Sequence, residues 1–208
     1  MSHVPESELR AILAPGSLCR MPSRPRDLNP GVHHVWVNAT GNWPYFADEV
    51  DRMVWIRLLV RVLERFDWGC VAFCQMTTHV HLLVDVPDGS LPFGMAYLNR
   101  EYSKDFNGRH LRSGYFVRKR YGSRRVEDAR DLLGTYAYVV LNPVLERMCR
   151  RAEDWPWGSY GTTIGISDAF PFVDAGIVLA ELGGSIAALQ ALTDAQSGRR
   201  PASKRHVR

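Results

Sequence analysis

Cysteine is scarce and scattered. Cys19, Cys70, Cys74 and Cys149 form no C-x-x-C pair, which excludes the dense disulfide framework of small secreted domains and the paired-thiol zinc sites of finger-like modules. They read as buried thiols, with Cys70 and Cys74 at even spacing and so on one face of a strand. Long apolar runs are missing too. "MVWIRLLVRVL" at 53–63 is broken by arginines and falls short of the ~20 apolar residues that a bilayer span requires. The opening "MSHVPESELRAILAPGSLCRMPSRPRD" lacks the basic-then-apolar order of a secretory leader. A cytoplasmic protein with no membrane partner is expected.

What is present is enough for one good core. The chain has 208 residues, 46% of them hydrophobic, and one domain with terminal additions is the default. Its formal net charge of +4 is unevenly spread. Ten basic residues (Arg100, Lys104, Arg109, Arg112, Arg118, Lys119, Arg120, Arg124, Arg125, Arg130) stand against four acidic ones (Glu101, Asp105, Glu127, Asp128) between 100 and 130, a local charge of +6. Such a segment suits a phosphate-bearing partner, because neutralised phosphates release counterions; the alternative is a solvated basic face. The interleaved aromatics Tyr97, Tyr102, Phe106, Tyr115, Phe116 and Tyr121 offer stacking surfaces for unpaired bases, and several also suit a core.

The order of elements is legible from periodicity. Residues 1–30 hold five prolines and read as an extension with one short helix near Glu6–Leu13. "GVHHVWVNAT" at 31–40 reads as a strand, 47–66 as a long helix, and "WGCVAFCQM" and "THVHLLVDV" as adjacent antiparallel strands joined near Thr77. Leu91, Met95, Leu98, Tyr102 and Phe106 recur at helical intervals, predicting a helix over 91–106. A short strand is expected over Tyr115–Tyr121, then a third helix "EDARDLLGTYAYVVLN", with acidic residues at its start and Pro143 as its stop. This order predicts an α+β fold with an antiparallel sheet and helices on one or both faces. Residues 161–197 read as a helical C-terminal extension, and 198–208 as a basic flexible tail adding unspecific phosphate attraction. Trp155 and Trp157 read as anchors for the chain's exit from the domain.

The histidines of "MTTHVHLLVDV" carry the first chemistry. On a strand, alternate residues share a face, so His79 and His81 point one way and can grip a single divalent cation; the bland reading is two polar residues on a wet face. Tyr138 and Asn142 are one helical turn apart in "YVVLNP" and project from one side. An Asn142 amide oxygen could complete the ligand set, with the Tyr138 phenol beside the cation. Helix grammar alone allows a core tyrosine and a helix-end asparagine.

Taken together, "THVHLLV", the basic "SGYFVRKRYGS", "YAYVVLNPV" and the downstream "DWPWGSY" resemble the HUH single-strand DNA endonucleases, and more closely the single-tyrosine transposases of the REP-associated type. The likeness covers roughly residues 31–160, which would be the catalytic domain. It implies a ferredoxin-like antiparallel sheet flanked by helices. It further implies that His79, His81 and Asn142 hold a divalent metal, Mg2+ or Mn2+, and that Tyr138 is the nucleophile, with Tyr136 the second choice. Arg118, Lys119, Arg120, Arg124 and Arg125 become the DNA-binding set. The implied partner is single-stranded or hairpin DNA, and the implied state a monomer or homodimer. The chain departs from the family pattern at Thr77 and Thr78, where proline and asparagine are usual, and at Arg118, where glutamine often stands. The expected activity is metal-dependent nicking and strand transfer through a 5′-phosphotyrosine. The alternative is a domesticated DNA-binding protein of the same fold without cleavage. A histidine-triad phosphohydrolase would need another histidine where Leu83 stands.

Overall fold

The computed structural model describes residues 28–41, 43–117 and 121–197. Four strands and six helices follow in the order β1 (Gly31–Asn38), α1 (Glu49–Phe66), β2 (Gly69–Gln75), β3 (His79–Val86), α2 (Leu91–Arg109), β4 (Gly122–Arg125), α3 (Ala129–Leu145), α4 (Tyr160–Thr163), α5 (Gly176–Glu181) and α6 (Ile186–Ser197). The sheet order is β2-β3-β1-β4, and every pairing is antiparallel. That is the ferredoxin-like α+β arrangement. The expected helix near Glu6–Leu13, Cys19, the basic tail and Arg118, Lys119 and Arg120 lie outside the described residues.

On the first face α1 begins at a side-chain cap, whereas α2 begins at Ser90 without one and carries Pro92 in its first turn. Asp48 accepts from the Asp51 amide while the Asp51 carboxylate accepts back from Asp48, closing a capping box at the start of α1,. Arg109, at the end of α2, pairs with both carboxylates, and His110 adds a contact to Asp51. The two helices are thereby tied end to end. Beneath them an aromatic core forms from Tyr45, Phe46, Trp55, Tyr102, Phe106 and Phe116, with Phe106 and Phe116 stacked at 4.0 Å between ring centroids. Of the aromatics offered as base-stacking surfaces, Tyr102, Phe106 and Phe116 are therefore core residues, while Tyr115 is 92% exposed.

A second core lies on the opposite face, where α3 packs on β2 and β3 and carries α5 and α6 on its outer side. Two expectations about strands are corrected here. Cys70 and Cys74 fall in different cores, because the register shifts between Cys70 and Ala72 and the extra residue, Val71, reverses the alternation,. Among the described residues the fourth strand is Gly122–Arg125 rather than Tyr115–Tyr121, with a single bridge upstream, between Val117 and Ala39. Phe116 is drawn into the aromatic core, and its carbonyl is bound by the amide and hydroxyl of Thr40. Regular pairing resumes opposite Trp36 at Gly122, where a Cβ would stand 2.1 Å from the indole. Only glycine lets the tryptophan lie across the strand there.

The third helix also runs past its expected stop. Pro143 lies inside α3, which continues to Leu145. Proline forfeits one amide and clashes with the preceding turn in a helix interior, yet here it sits in the last turn, and the Glu146 and Met148 amides bind the Asn142 and Pro143 carbonyls at 2.9 and 2.8 Å.

The segment "DWPWGSY" returns along the outer side of β2. Gln75 donates to the Trp157 carbonyl at 2.9 Å, Ser159 donates to Phe73 at 3.0 Å, and the Phe73 amide donates to the Ser159 hydroxyl at 3.0 Å. Further on, Asp174 donates to the Cys70 carbonyl at 2.8 Å. The Arg52 guanidinium lies over Phe46, Trp155 and Trp157 and donates to the Gln75 carbonyl at 2.8 Å. Trp155 packs against the second core, and both tryptophans lie under the Arg52 guanidinium, which holds the returning segment in place.

Candidate active site

Strand alternation and one helical stripe assemble the site. On β3, His79 and His81 face α3, as the cross-strand pairing of His81 with second-core Cys74 requires. On β1, His34 and Trp36 face the same way, while His33 turns to the other side and contacts the Asn29 carbonyl at 3.0 Å. On α3, Asp131, Thr135, Tyr138 and Asn142 recur at intervals of four, three and four, so they form one stripe along the helix,.

Tyr138 meets the histidines edge-on. Its ring centroid lies 5.3 Å from that of His81 and 5.8 Å from that of His34. The His79 and His81 rings are 4.9 Å apart and nearly perpendicular. Tyr138 remains 39% exposed, whereas Tyr136 is fully buried in the second core, and burial pushes the Tyr136 phenol well above its usual range,. Asn142, one turn beyond Tyr138, is buried.

Each histidine of the pair is held at its Nδ1. Thr78 Oγ1 lies 3.0 Å from His79 Nδ1, and His34 Nε2 lies 3.1 Å from His81 Nδ1. A ring so held turns its Nε2 toward the side where a metal ligand would act, which is how supporting hydrogen bonds orient metal-binding imidazoles. In donor chemistry, two imidazoles and an amide oxygen such as that of Asn142 suit a hard or borderline divalent cation.

His34 is buried, and its pKa is lowered to about 4, first by burial and then by the Arg124 charge, with Asp131 pulling the other way. Arg124 stands opposite His34 on β4. Its guanidinium makes a bidentate pair with Asp131 at 2.6 and 2.8 Å and also donates to Thr135. Asp131 in turn is held well below the usual carboxylate range by that guanidinium. Arg124 therefore fastens β4 to the start of α3, and both it and Arg125 are exposed.

A curated Haemophilus influenzae protein, provisionally named a REP-associated tyrosine transposase, is 25% identical over 108 residues, covering 47% of this chain and 61% of that relative. The solved structure of a REP-associated tyrosine transposase bound to a REP hairpin superposes with a TM-score of 0.61 at 14% identity, covering 76% of this chain and 93% of that one. In part of its sequence and in its fold the chain is similar to REP-associated tyrosine transposases. No protein-family profile matches it.

Sequence reasoning passed over His34. The doublet in "GVHHV" held the signal, since two successive residues of a strand must point to opposite faces and one imidazole had to join the His79 and His81 side. It also passed over a second cluster. Among the described residues, Asp48, Asp51 and His110 bring ligand atoms within 4.8 Å of one another, a spacing compatible with a cation. Their oxygens already accept from Arg109, from the Ala47 and Asp48 amides and from the capping contact, and they lie on the sheet face away from Tyr138. That cluster acts as the tie between α1 and α2.

No described helix is long and apolar enough to cross a membrane.

Proposed function

We propose that this chain is a metal-dependent single-strand DNA nickase and strand transferase acting on hairpin DNA, with Tyr138 as nucleophile and His79, His81 and Asn142 as metal ligands. The observation that carries the reading is the half-exposed Tyr138 ring set edge-on against the two stacked imidazoles of His34 and His81. A core tyrosine would be covered, as Tyr136 is. The catalytic unit is residues 31–160, with 161–197 as a helical extension that buttresses α3.

In the reaction, the Tyr138 phenol oxygen forms a bond to phosphorus and the bond from phosphorus to the 3′ oxygen breaks. The electron pair of that bond goes to the 3′ oxygen, which takes up a proton, and the phenol proton passes to water. The products are a 5′-phosphotyrosine and a free 3′ hydroxyl. A divalent ion, Mg2+ or Mn2+, held by His79, His81 and Asn142 would supply charge for the phosphoryl oxygens. The helix fixes Tyr138 in place, and the imidazole edges restrict the tilt of its ring, so the attack starts from an aligned nucleophile. Reversal by another 3′ hydroxyl rejoins DNA without a further energy source, since one phosphate ester replaces another.

Exposed Arg125 supplies phosphate-facing charge in this reading, together with Arg118, Lys119 and Arg120, while Arg124 contributes less because Asp131 already pairs with it. A second reading, a DNA-binding protein of the same fold without cleavage, is favoured by the departures from the family pattern at Thr77 and Thr78, just before the histidine pair. The deciding experiment incubates the chain with labelled hairpin oligonucleotides and Mn2+ and resolves the products on a denaturing gel. A covalent adduct should form, vanish in Tyr138→Phe and persist in Tyr136→Phe. Adduct in both variants refutes the choice of nucleophile, and hairpin binding without any adduct supports the second reading.

A further inference from the structure

We propose that His34 is a positioning residue for the histidine pair: its Nε2 accepts a proton held on His81 Nδ1, and so fixes both the tautomer and the rotation of the His81 ring. The geometry is direct, with 3.1 Å between the two nitrogens and ring centroids stacked at 5.2 Å. A hydrogen bond between two imidazole nitrogens requires one to carry the proton and the other to offer its lone pair. When His81 uses Nε2 as a donor to a cation, its proton must reside on Nδ1, so His34 must be the acceptor and carry its own proton on Nδ1. The tautomer assignment rests on the metal reading above; the contact between the two rings does not.

The same side chain reaches two other parts of the site. Its ring edge packs against Tyr138, and its strand position is opposite Arg124, whose guanidinium grips Asp131 and Thr135 on the Tyr138 stripe. His34 therefore joins the ligand strand β3, the nucleophile helix α3 and the edge strand β4 through one imidazole. Supporting groups on metal-binding histidines are commonly carboxylates or carbonyls. A neutral imidazole in that place adds no negative charge beside the cation, leaving its full pull for phosphate.

The test uses the full chain with 15N-labelled histidine. In metal-free protein, long-range proton–nitrogen correlation spectra should show His81 protonated at Nδ1 and bare at Nε2. His34→Phe, which keeps a ring but no lone pair, should shift His81 toward the Nε2-protonated form. His34→Gln, which keeps an acceptor oxygen, should preserve the wild-type pattern. An Nε2-protonated His81 in the wild type, or spectra unchanged in His34→Phe, overturns the inference. Mn2+ titration followed by electron paramagnetic resonance gives the second readout: binding should weaken roughly 10- to 100-fold in His34→Phe, and equal affinities in the two proteins also overturn it. A wild type with the expected tautomer that binds no Mn2+ upholds His34 as the holder of His81 and removes the metal reading instead.

Discussion

Acidification should undo the site through His34 before it undoes the rest of the fold. The ring is buried, and its pKa falls from an ordinary 6.5 to about 4, chiefly because burial disfavours the imidazolium and Arg124 opposes it,. Between those two values the unfolded chain binds a proton that the folded chain refuses. Stability is thus present in full above pH 6.5 and is lost as pH falls toward 4. At 1.36 kcal/mol per unit, a displacement of this size amounts to about 3 kcal/mol by pH 4, a large share of the ~5–15 kcal/mol that holds a typical domain together. Urea unfolding followed by tryptophan fluorescence at pH 7.5, 6, 5 and 4 measures it, with His34→Gln as the comparison that carries no titrating ring. The advantage of the wild type over the variant should shrink steadily across that series by about 3 kcal/mol. A difference that stays flat with pH would show that His34 is either protonated in the folded protein or wet enough to titrate normally.

Three other outcomes follow from named contacts. Gly122→Ala should lower the melting temperature by several degrees, since its methyl would stand 2.1 Å from the Trp36 indole and overpacking of this kind costs about 1–3 kcal/mol; an unchanged transition in scanning fluorimetry would mean that Trp36 swings aside freely. Asp48→Ala removes the α1 cap and one Arg109 contact and should cost about 1–2 kcal/mol in urea unfolding at pH 7, whereas a loss confined to a few tenths would show that Asp51 alone suffices. For hairpin DNA, the slope of log affinity against log salt should fall by about one unit in Arg125→Ala. It should hardly change in Arg124→Ala, because that guanidinium is committed to Asp131.

Periodicity made most of the architecture legible, and its failures share a cause. The long helix, the antiparallel pair around Thr77 and the helix beginning at Leu91 were all marked by local pattern. The face of Cys70 was not, because one inserted residue at Val71 reverses every side chain upstream of it,. Nor was the position of the fourth strand, which depends on Phe116 joining a core built from distant segments and on room for the Trp36 indole. Pro143 misled for a different reason: its penalty is small at the end of a helix. In the site, the even spacing of His79 and His81 and the one-turn spacing of Tyr138 and Asn142 could be seen in the chain. The third imidazole belongs to a strand 47 residues away from His81 in sequence, so only the β1 and β3 pairing reveals it.

The return of "DWPWGSY" along β2 has a consequence for assembly. A border strand ordinarily offers a row of open amides and carbonyls on which another chain can build, and here the chain's own backbone already occupies that row. Two copies joining by strand addition would have to meet at β4, a run of four residues that carries Arg124 and Arg125. Antiparallel contact of two such borders would bring like charges together, so the fold discourages fibre-like growth on both flanks by different means: occupation on one, repulsion on the other.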